Sequence, residues 1–182
     1  MKYFSKGKRG RIYLIKNIAI KKSLHRHIKN EVKFLKILNK YNIGPKLISF
    51  GKGYFKYKFV KVKFILDYLN EANKVKIKKV IINILKQCRT LDKLRMNKKE
   101  LTNPYKHIII NKNIVMIDFE RCYFTDKPKN VSQFCQFLMS NKVKNLLEEK
   151  KIKIDRNNLI DRIKVYKKSY YDEDFNTIIK LI

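Results

Sequence analysis

The sequence predicts an α+β protein in which a small strand-rich part precedes a helical part. Before residue 65, short runs of β-branched and aromatic residues alternate with turn residues, whereas later stretches show apolar residues at helical spacing. A hydrophobic content of 45% in 182 residues suits one folded domain with its own core. We therefore expect residues 1–62 to form the strand-rich part and residues 63–182 the helical part of a single domain.

The strand-rich part contains four predicted strands and one predicted helix. The strand candidates are RIYLI, IAIKK, KLISFG and YKFVKV. The helix is expected to begin after an N-cap at Ser23 and to run to about Lys40, where NIGP ends it. The apolar stripe of this helix comprises Leu24, Ile28, Val32, Leu35 and Leu38. The same stripe also contains an acidic residue, Glu31.

The helical part begins with a long predicted helix from Asn73 to Met96. Its apolar face consists of Val80, Ile81, Ile84, Leu85, Cys88 and Leu91. A loop, KKELTNPYKH, then leads to two short strands, HIII and IVMID, which NKN joins in a hairpin-like turn. Further helices are predicted over Val131–Lys151 and Asn157–Lys168 and from Asp172 onward.

The net charge of +30 points toward polyanionic partners, but its composition weakens that interpretation. Only 8 of the 45 basic residues are arginine, the residue that specific nucleic-acid readers use most. Lysine, isoleucine, asparagine, tyrosine and phenylalanine, which have AT-rich codons, are abundant together. We attribute the charge first to genome composition and expect weak affinity for RNA or another polyanion as a by-product.

The sequence gives no indication of a membrane or secretory protein. The longest apolar runs, such as VIINIL, are far shorter than a membrane span, and MKYFSKGKRG lacks the apolar region of a signal peptide. Cys88, Cys122 and Cys135 are widely spaced, which favours reduced, buried thiols over disulfides or a zinc site. We therefore expect a cytoplasmic protein without membrane partners.

A buried glutamate requires a positively charged neighbour. Glu31 on the apolar helix face would be strongly destabilising unless it were paired, and Lys21, at the end of IAIK, is the natural partner. The alternatives are a Glu31 side chain that bends into water and a Lys21 that is simply solvated. The glycines of SKGKRGRIY, Gly7 and Gly10, suit a phosphate-binding turn as well as an ordinary hairpin.

Two further carboxylates flank the predicted hairpin. Asp118 closes the aliphatic run IVMID, and Phe119 behind it can anchor the turn. An aspartate at this position could also serve only as a cap. Glu100 lies upstream of the hairpin, and a hairpin brings its two ends together, so we expect Glu100 to lie close to Asp118.

These features follow one another in an order that protein kinases use. The order is a glycine loop, a strand lysine, a helix glutamate, a loop carboxylate and a strand-end DF. The chain resembles the protein-kinase-like superfamily. Within it, the chain is similar to the small archaeal predicted serine/threonine kinases related to the RIO kinases and to the kinase subunit of the tRNA-modifying KEOPS complex. The most specific stretch is LDKLRMNKKELTNPYKHIIINKNIVMIDFERC, because that group has EL-x-x-P-x-KH and IDFER where typical kinases have HRD and DFG.

The resemblance implies a two-lobed fold that binds ATP and Mg²⁺, with a small strand-rich lobe and a reduced helical lobe. Gly7 and Gly10 would then belong to the phosphate loop. Lys21, held by Glu31, would contact the α- and β-phosphates. The segment Phe59–Lys63 would form the hinge, with Val60 and Val62 against the adenine.

The resemblance also implies roles for the residues around the hairpin. Asp118 would bind Mg²⁺, and Glu100 would accept the proton of the substrate hydroxyl. Asn103 or His107 would supply the second metal ligand, and Lys106 would neutralise phosphate charge.

Several positions depart from the kinase pattern. Lys98 replaces the histidine of HRD, Tyr105 replaces the metal-binding asparagine, and Glu120 replaces the glycine of DFG and adds a carboxylate near the metal. No APE motif follows, and the remaining chain is too short for a full peptide-substrate platform.

Four functional interpretations remain. The first is an atypical serine/threonine kinase acting on a protein, and the second is a pseudokinase or ATPase-type nucleotide-binding module in an RNA-associated complex. The third is a small-molecule phosphotransferase, for which the chain hardly has room. The last is a basic α+β protein whose motif matches arise by chance, which five matches in order disfavour.

Overall fold

A computed structural model describes residues 1–7 and 9–182 of the chain. The described residues form two compact units. The first unit contains Met1–Val62 and Asn111–Cys122, and the second contains Lys63–Ile110 and Tyr123–Ile182. The predicted α+β class is confirmed at this level, because an antiparallel sheet comes first along the chain and helices follow it.

Strands and helices are numbered here in chain order. The strands are β1 (Lys2–Lys6), β2 (Gly10–Ile15), β3 (Ile18–Ser23), β4 (Leu47–Gly51), β5 (Tyr54–Lys58), β6 (Met96–Asn97), β7 (Ile108–Ile110), β8 (Ile114–Met116) and β9 (Tyr123–Phe124). The helices are α1 (His25–Leu38), α2 (Ile65–Glu71), α3 (Lys74–Lys93), α4 (Asn130–Leu138), α5 (Asn141–Glu149), α6 (Arg156–Ser169) and α7 (Asp172–Ile179).

The first unit is built on a five-stranded antiparallel sheet. Its strand order is β1-β2-β3-β5-β4, so β3 lies in the centre. Strand β1 is not among the predicted strands, because KYFSK shows no alternation of apolar and polar residues. The predicted YKFVKV strand has the wrong bounds. Strand β5 ends at Lys58, and the Phe59 N–H donates to the Asn17 carbonyl at 2.9 Å instead of continuing the ladder.

Helix α1 packs an apolar face that includes Glu31 into the first unit. Its buried residues are Ile28, Glu31, Val32, Phe34, Leu35 and Leu38. The predicted N-cap at Ser23 is wrong, because Ser23 still pairs with Gly10 as the last residue of β3 and its hydroxyl donates to the Arg9 carbonyl. Leu24 is the N-cap instead and is 62% exposed, so it does not belong to the buried stripe.

The segment 111–122 is far along the chain from the sheet, yet it completes the first unit. The ring of Phe119 is fully buried and lies near Gly44. Gly44 has a φ of +82°, and a Cβ there would come within 2.8 Å of Leu35 Cδ2 and 3.1 Å of Phe119 Cε2. A glycine at this position therefore permits both the left-handed turn after α1 and the close approach of Phe119.

The second unit is mainly helical. The predicted apolar face of α3 is confirmed, since all six of its residues are buried. The single helix predicted over Val131–Lys151 is wrong. The chain forms two helices there, α4 and α5, because Ser140 adopts an extended conformation with φ −64° and ψ 143°. Strands β6 and β9 pair in an antiparallel ladder.

The cysteines and the longest helices bear on two of the predictions. Cys88, Cys122 and Cys135 are buried thiols, as expected. None of the helices in the described part of the chain is both long and apolar enough to cross a membrane.

Candidate functional site

The candidate site is centred on the ammonium group of Lys21 in the first unit. Lys21 lies on the central strand β3, next to the buried residues Ala19 and Ile20, and it is only 7% exposed. Its Nζ donates to Glu31 Oε2 at 2.8 Å and to Asp118 Oδ1 at 2.8 Å. The predicted pairing of Lys21 with Glu31 is confirmed, and the lysine also contacts the predicted aspartate.

Glu31 joins the sheet to the segment that carries Asp118. Its side chain is nearly fully buried. While Oε2 accepts from Lys21, Oε1 accepts the Phe119 N–H at 3.3 Å. The glutamate thus satisfies the lysine and a buried backbone donor at once, which explains why a charged group is stable on the apolar face of α1.

Asp118 occupies an unusual backbone conformation. Its φ is 61°, in the left-handed region that few non-glycine residues adopt, although aspartate tolerates it better than most. The neighbouring α1 residue Asn30 holds the same segment, donating to the Glu120 carbonyl at 2.8 Å and to the Cys122 carbonyl at 3.1 Å. The Asp118 side chain remains 35% exposed. The backbone therefore presents one carboxylate toward solvent while its flanking residues are fixed.

Two further charged side chains, Glu120 and Arg9, belong to the cluster. Glu120 Oε2 lies 3.7 Å from Lys21 Nζ, and Glu120 Oε1 accepts from Arg9 Nη1 at 3.4 Å. Three carboxylates, of Glu31, Asp118 and Glu120, therefore face two cations, Lys21 and Arg9. Three carboxylates this close together attract cations electrostatically.

The electrostatic environment keeps Lys21 protonated. Burial alone would lower the pKa of Lys21, but attraction to Glu31 and Asp118 outweighs it and holds that pKa above its ordinary value. Burial also raises the pKa of Glu31, although the Lys21 charge opposes this effect. We regard Glu31 as ionised at neutral pH, because each of its carboxylate oxygens accepts from a donor.

The donor set fits a magnesium ion that shares its coordination with a phosphate-bearing ligand. In the described part of the chain, no three His, Cys, Asp or Glu side chains are arranged as a protein-only metal site. Magnesium at nucleotide sites, however, commonly takes only one or two carboxylates together with water and phosphate oxygens. Asp118 and Glu120 provide two. Glu120 Oε2 is buried and accepts no hydrogen bond from the described residues, so it retains lone pairs for a cation.

The glycine loop also lies in the first unit. The Gly7 N–H donates to the Gly10 carbonyl at 2.9 Å, which closes a tight turn. A Cβ at Gly10 would lie 2.8 Å from the Lys22 carbonyl, so this position requires glycine. Lys8, within the predicted SKGKRGRIY motif, lies outside the described residues.

The predicted hinge segment follows β5. The ring of Phe59 packs edge-on against Phe4, with centroids 5.4 Å apart. Val60 is half-buried, and Val62 is 38% exposed. Val62 is the last residue of Met1–Val62, the first of the two segments that form the first unit. The adenine-contacting role of these two valines stays a prediction.

The remaining predicted site residues belong to the second unit. Glu100 lies in a 3-10 turn, Lys99–Thr102, and is 9% exposed. Its Oε2 accepts from Nζ of Lys98, at 3.0 Å, and Lys98 itself is fully buried. Tyr105, at the position of the kinase asparagine, packs its ring against Phe137 with centroids 5.4 Å apart.

Asn103, Lys106 and His107 follow Glu100 in the same loop. Asn103 and Lys106 are exposed, and the N–H of Asn103 donates to the Glu100 carbonyl at 3.1 Å. His107 is half-buried, and its N–H donates to the Pro104 carbonyl at 2.8 Å. Asp118 belongs to the first unit, whereas Asn103 and His107 belong to the second, and their joint role as metal ligands stays a prediction.

Several residues with clear positioning roles are absent from the sequence predictions. Arg9 and Asn30 had no recognisable signal, because each contacts a residue about a hundred positions away. Asp92 did have one, since it falls on the apolar face of α3 four residues after Cys88, as Glu31 falls on the apolar face of α1. Asp92 is buried and accepts from the backbone and side-chain nitrogens of Asn130 at 3.0 and 2.7 Å.

The network around Asp92 holds the loop that carries Glu100. Asn130, itself fully buried, donates from Nδ2 to the Met96 carbonyl at 2.6 Å and accepts the Lys98 N–H through Oδ1 at 2.9 Å. Asp92 Oδ2 accepts from the Tyr166 hydroxyl at 2.8 Å. Asp92 therefore fixes the backbone of residues 96–98 through Asn130.

Comparison with known proteins adds no family assignment. No protein-family model matches the chain, and no curated protein matches it.

Proposed function

We propose that the chain is an atypical serine/threonine protein kinase of the two-lobed, protein-kinase-like type. It would use ATP and Mg²⁺ in the cytoplasm and transfer the γ-phosphate to a hydroxyl of a protein substrate. The observation that carries the proposal is the double engagement of Lys21, which contacts Glu31 on α1 and Asp118 at the end of a distant strand, each at 2.8 Å. Kinases depend on an ion pair between a strand lysine and a helix glutamate and on a DF aspartate that binds Mg²⁺, and Lys21 contacts candidates for both acids.

In this proposal each residue of the first unit has a stated task. Lys21 contacts the phosphates of ATP, and Glu31 keeps the ammonium group in position. Asp118 and Glu120 hold Mg²⁺, which would neutralise the charge that develops on the transferred phosphoryl group. Gly7 and Gly10 allow the loop backbone to approach the phosphates. Glu100 accepts the proton of the substrate hydroxyl.

A second function is favoured by a specific observation in the second unit. Glu100 is already paired with the buried Lys98, and Tyr105 packs on Phe137 at the position where kinases have a metal-binding asparagine. These features suit a pseudokinase or an ATPase-type module that binds nucleotide without transferring phosphate to a protein.

The test begins with purified protein, Mg²⁺ and γ-labelled ATP, with separate measurements of label on protein and of free phosphate. Wild type is compared with Lys21→Met, Asp118→Asn and Glu100→Gln. Lys58→Met, which removes an exposed lysine from the same sheet, is the matched control. The kinase proposal expects label on protein that all three site variants lose and the control retains.

Three other results would redirect the assignment. Release of free phosphate without labelled protein would identify an ATPase. A melting temperature that ATP and Mg²⁺ raise, without either product, would identify a nucleotide-binding module. Absence of any ATP effect on wild type, by thermal shift and by calorimetry, would overturn both proposals.

A further inference from the structure

A second feature of the first unit, on the sheet face opposite Lys21, concentrates positive charge. Side chains alternate between the two faces of a strand, so Lys22 points away from the face that Lys21 uses. Lys22 pairs in register with Arg11 of β2, and Arg11 pairs with Lys6 of β1. Residues directly opposite on neighbouring strands project to the same face, so these three side chains form a row across three strands.

This basic row has no charge compensation. Like charges directly opposite one another destabilise a sheet. Among the described residues, no carboxylate forms an ion pair with Lys6, Arg11 or Lys22, and all three side chains are exposed. The unfavourable repulsion would be relieved by an anionic ligand on this face.

The row lines a cavity of about 530 Å³. Arg9 and His27 add two further basic residues to its lining, and no acidic residue from the described part of the chain contributes. The cavity is therefore lined by five basic side chains. It does not include Lys21, but Arg9 of the Lys21 cluster and the loop glycines Gly7 and Gly10 also line it.

Aromatic rings stand beside the basic row. Tyr13 also lines the cavity, and its register partner on β1 is Tyr3, which is 55% exposed. The two rings are 6.0 Å apart and nearly perpendicular, at 76°. Lys22 Nζ lies 5.4 Å from the centroid of the Tyr13 ring. Basic side chains beside exposed aromatic rings are the combination that binds single-stranded nucleic acid, because phosphates pair with the cations while bases stack on the rings.

We propose that this face of the β1-β2-β3 sheet binds single-stranded nucleic acid. Lys6, Arg11 and Lys22 contact consecutive backbone phosphates, and Tyr13 stacks with a base. None of these four residues belongs to the Lys21 cluster, although the cavity that they line also includes Gly7, Gly10 and Arg9. A free phosphate or an acidic peptide would engage the cations but would leave the rings without a partner.

The test measures the fluorescence anisotropy of a labelled single-stranded U20 RNA over a range of salt concentrations. A triple variant, Lys6→Gln, Arg11→Gln and Lys22→Gln, removes the row. The matched control, Lys74→Gln, Lys76→Gln and Lys79→Gln, removes three exposed lysines from α3 and leaves the same net charge. The proposal expects the row variant to lose at least about ten-fold in affinity at 0.1 M salt and its log–log salt slope to fall by about 2.

The same proposal expects the α3 control to lose less than about three-fold, and Tyr13→Leu to lose about five-fold or more with an unchanged salt slope. Circular dichroism and thermal melting check the fold. Because the row variant removes repulsion, its melting temperature should be no lower than that of wild type.

Equal losses in the two triple variants would show that affinity follows total charge, and they would overturn the site. If poly-glutamate displaced labelled U20 as readily as unlabelled U20 does, the face would be an anion patch without base stacking. A Tyr13→Leu variant with normal affinity for U20 would lead to the same conclusion. No binding by wild type would overturn the proposal directly. Lys21→Met, by contrast, should bind U20 like wild type even though it loses any ATP response.

Discussion

The two units of the molecule each bury an acidic residue on a helix face, but they stabilise it differently. In the first unit, Glu31 is paired with a cation that is shared with Asp118. In the second unit, Asp92 receives its hydrogen bonds mainly from neutral donors on Asn130, Val131 and Tyr166. The first arrangement joins the buried pair to a partly exposed carboxylate, Asp118, whereas the Asp92 network consists of buried groups. Burial of an acid alone therefore does not identify a functional site.

The largest expected effect comes from Asp92→Ala in the second unit. It would leave buried donors of Asn130, Val131 and Tyr166 without an acceptor, and the free energy of unfolding should fall by about 3 to 5 kcal/mol. Urea unfolding measures this change. Asp161→Ala, in an exposed i,i+3 pair, should change stability by less than about 0.5 kcal/mol. A similar small change for both variants would contradict a structural role for Asp92.

The next effect concerns the pair in the first unit. Lys21→Met leaves Glu31 buried without its cation, and we expect a loss of about 2 to 4 kcal/mol in stability. Glu31→Gln in the same chain should restore part of that loss, with a coupling energy of about 1 to 3 kcal/mol in a double-mutant cycle measured by urea unfolding. Additive losses would mean that the two side chains do not interact in solution. Neither Lys21→Met nor the Lys21→Met, Glu31→Gln double variant should show an ATP-induced thermal shift.

Asp118→Asn separates ligand binding from stability. Asparagine also tolerates a positive φ and has the same size as aspartate, so the free energy of unfolding should change by less than about 1 kcal/mol. The Mg²⁺-dependent part of the ATP-induced thermal shift should nevertheless disappear. If the Mg²⁺ dependence survives in this variant and in Glu120→Gln, the two carboxylates do not hold the metal.

The smallest effect concerns the thiols of the second unit. Burial raises the pKa of Cys135 to about 12, and the nearby Asp92 charge adds to the shift. Burial likewise raises the pKa of Cys88. Since a raised pKa keeps a thiol protonated at pH 8, neither cysteine should react with Ellman's reagent until urea unfolds the protein. Rapid reaction of these cysteines in the folded protein would show that the second unit opens readily; Cys88→Ser and Cys135→Ser assign the signals.

Local periodicity was sufficient to predict much of the fold and part of the candidate site. The strand RIYLI, the apolar face of α3 and the burial of Glu31 all follow from the spacing of apolar residues. The pairing of Lys21 with Glu31 could be predicted because an unpaired buried carboxylate is so unfavourable. The break at Ser140 has no proline or glycine to mark it, although serine favours the N-cap position that Ser140 occupies.

Contacts between distant parts of the chain were harder to predict. Asn30 holds the backbone of residues 120–122 through its side-chain amide, and no sequence pattern distinguishes it from a solvated asparagine. Arg9 is likewise one of many basic residues in a lysine-rich chain. Asp92 could have been found, because the reasoning that identified Glu31 applies equally to the face of α3.

The contribution of residues 111–122 to the first unit has a consequence for how the protein folds during synthesis. When residues 1–62 leave the ribosome, Phe119 and Asp118 have not yet been made, so the space beside Gly44 and one partner of Lys21 are missing. The hydrogen bond from Phe119 to Glu31 closes a sequence separation of 88 residues. Contacts of such long range form slowly. The sheet therefore reaches its final stability only after most of the chain has been synthesised. An N-terminal fragment that ends near residue 62 would therefore be a poor substitute for the intact unit.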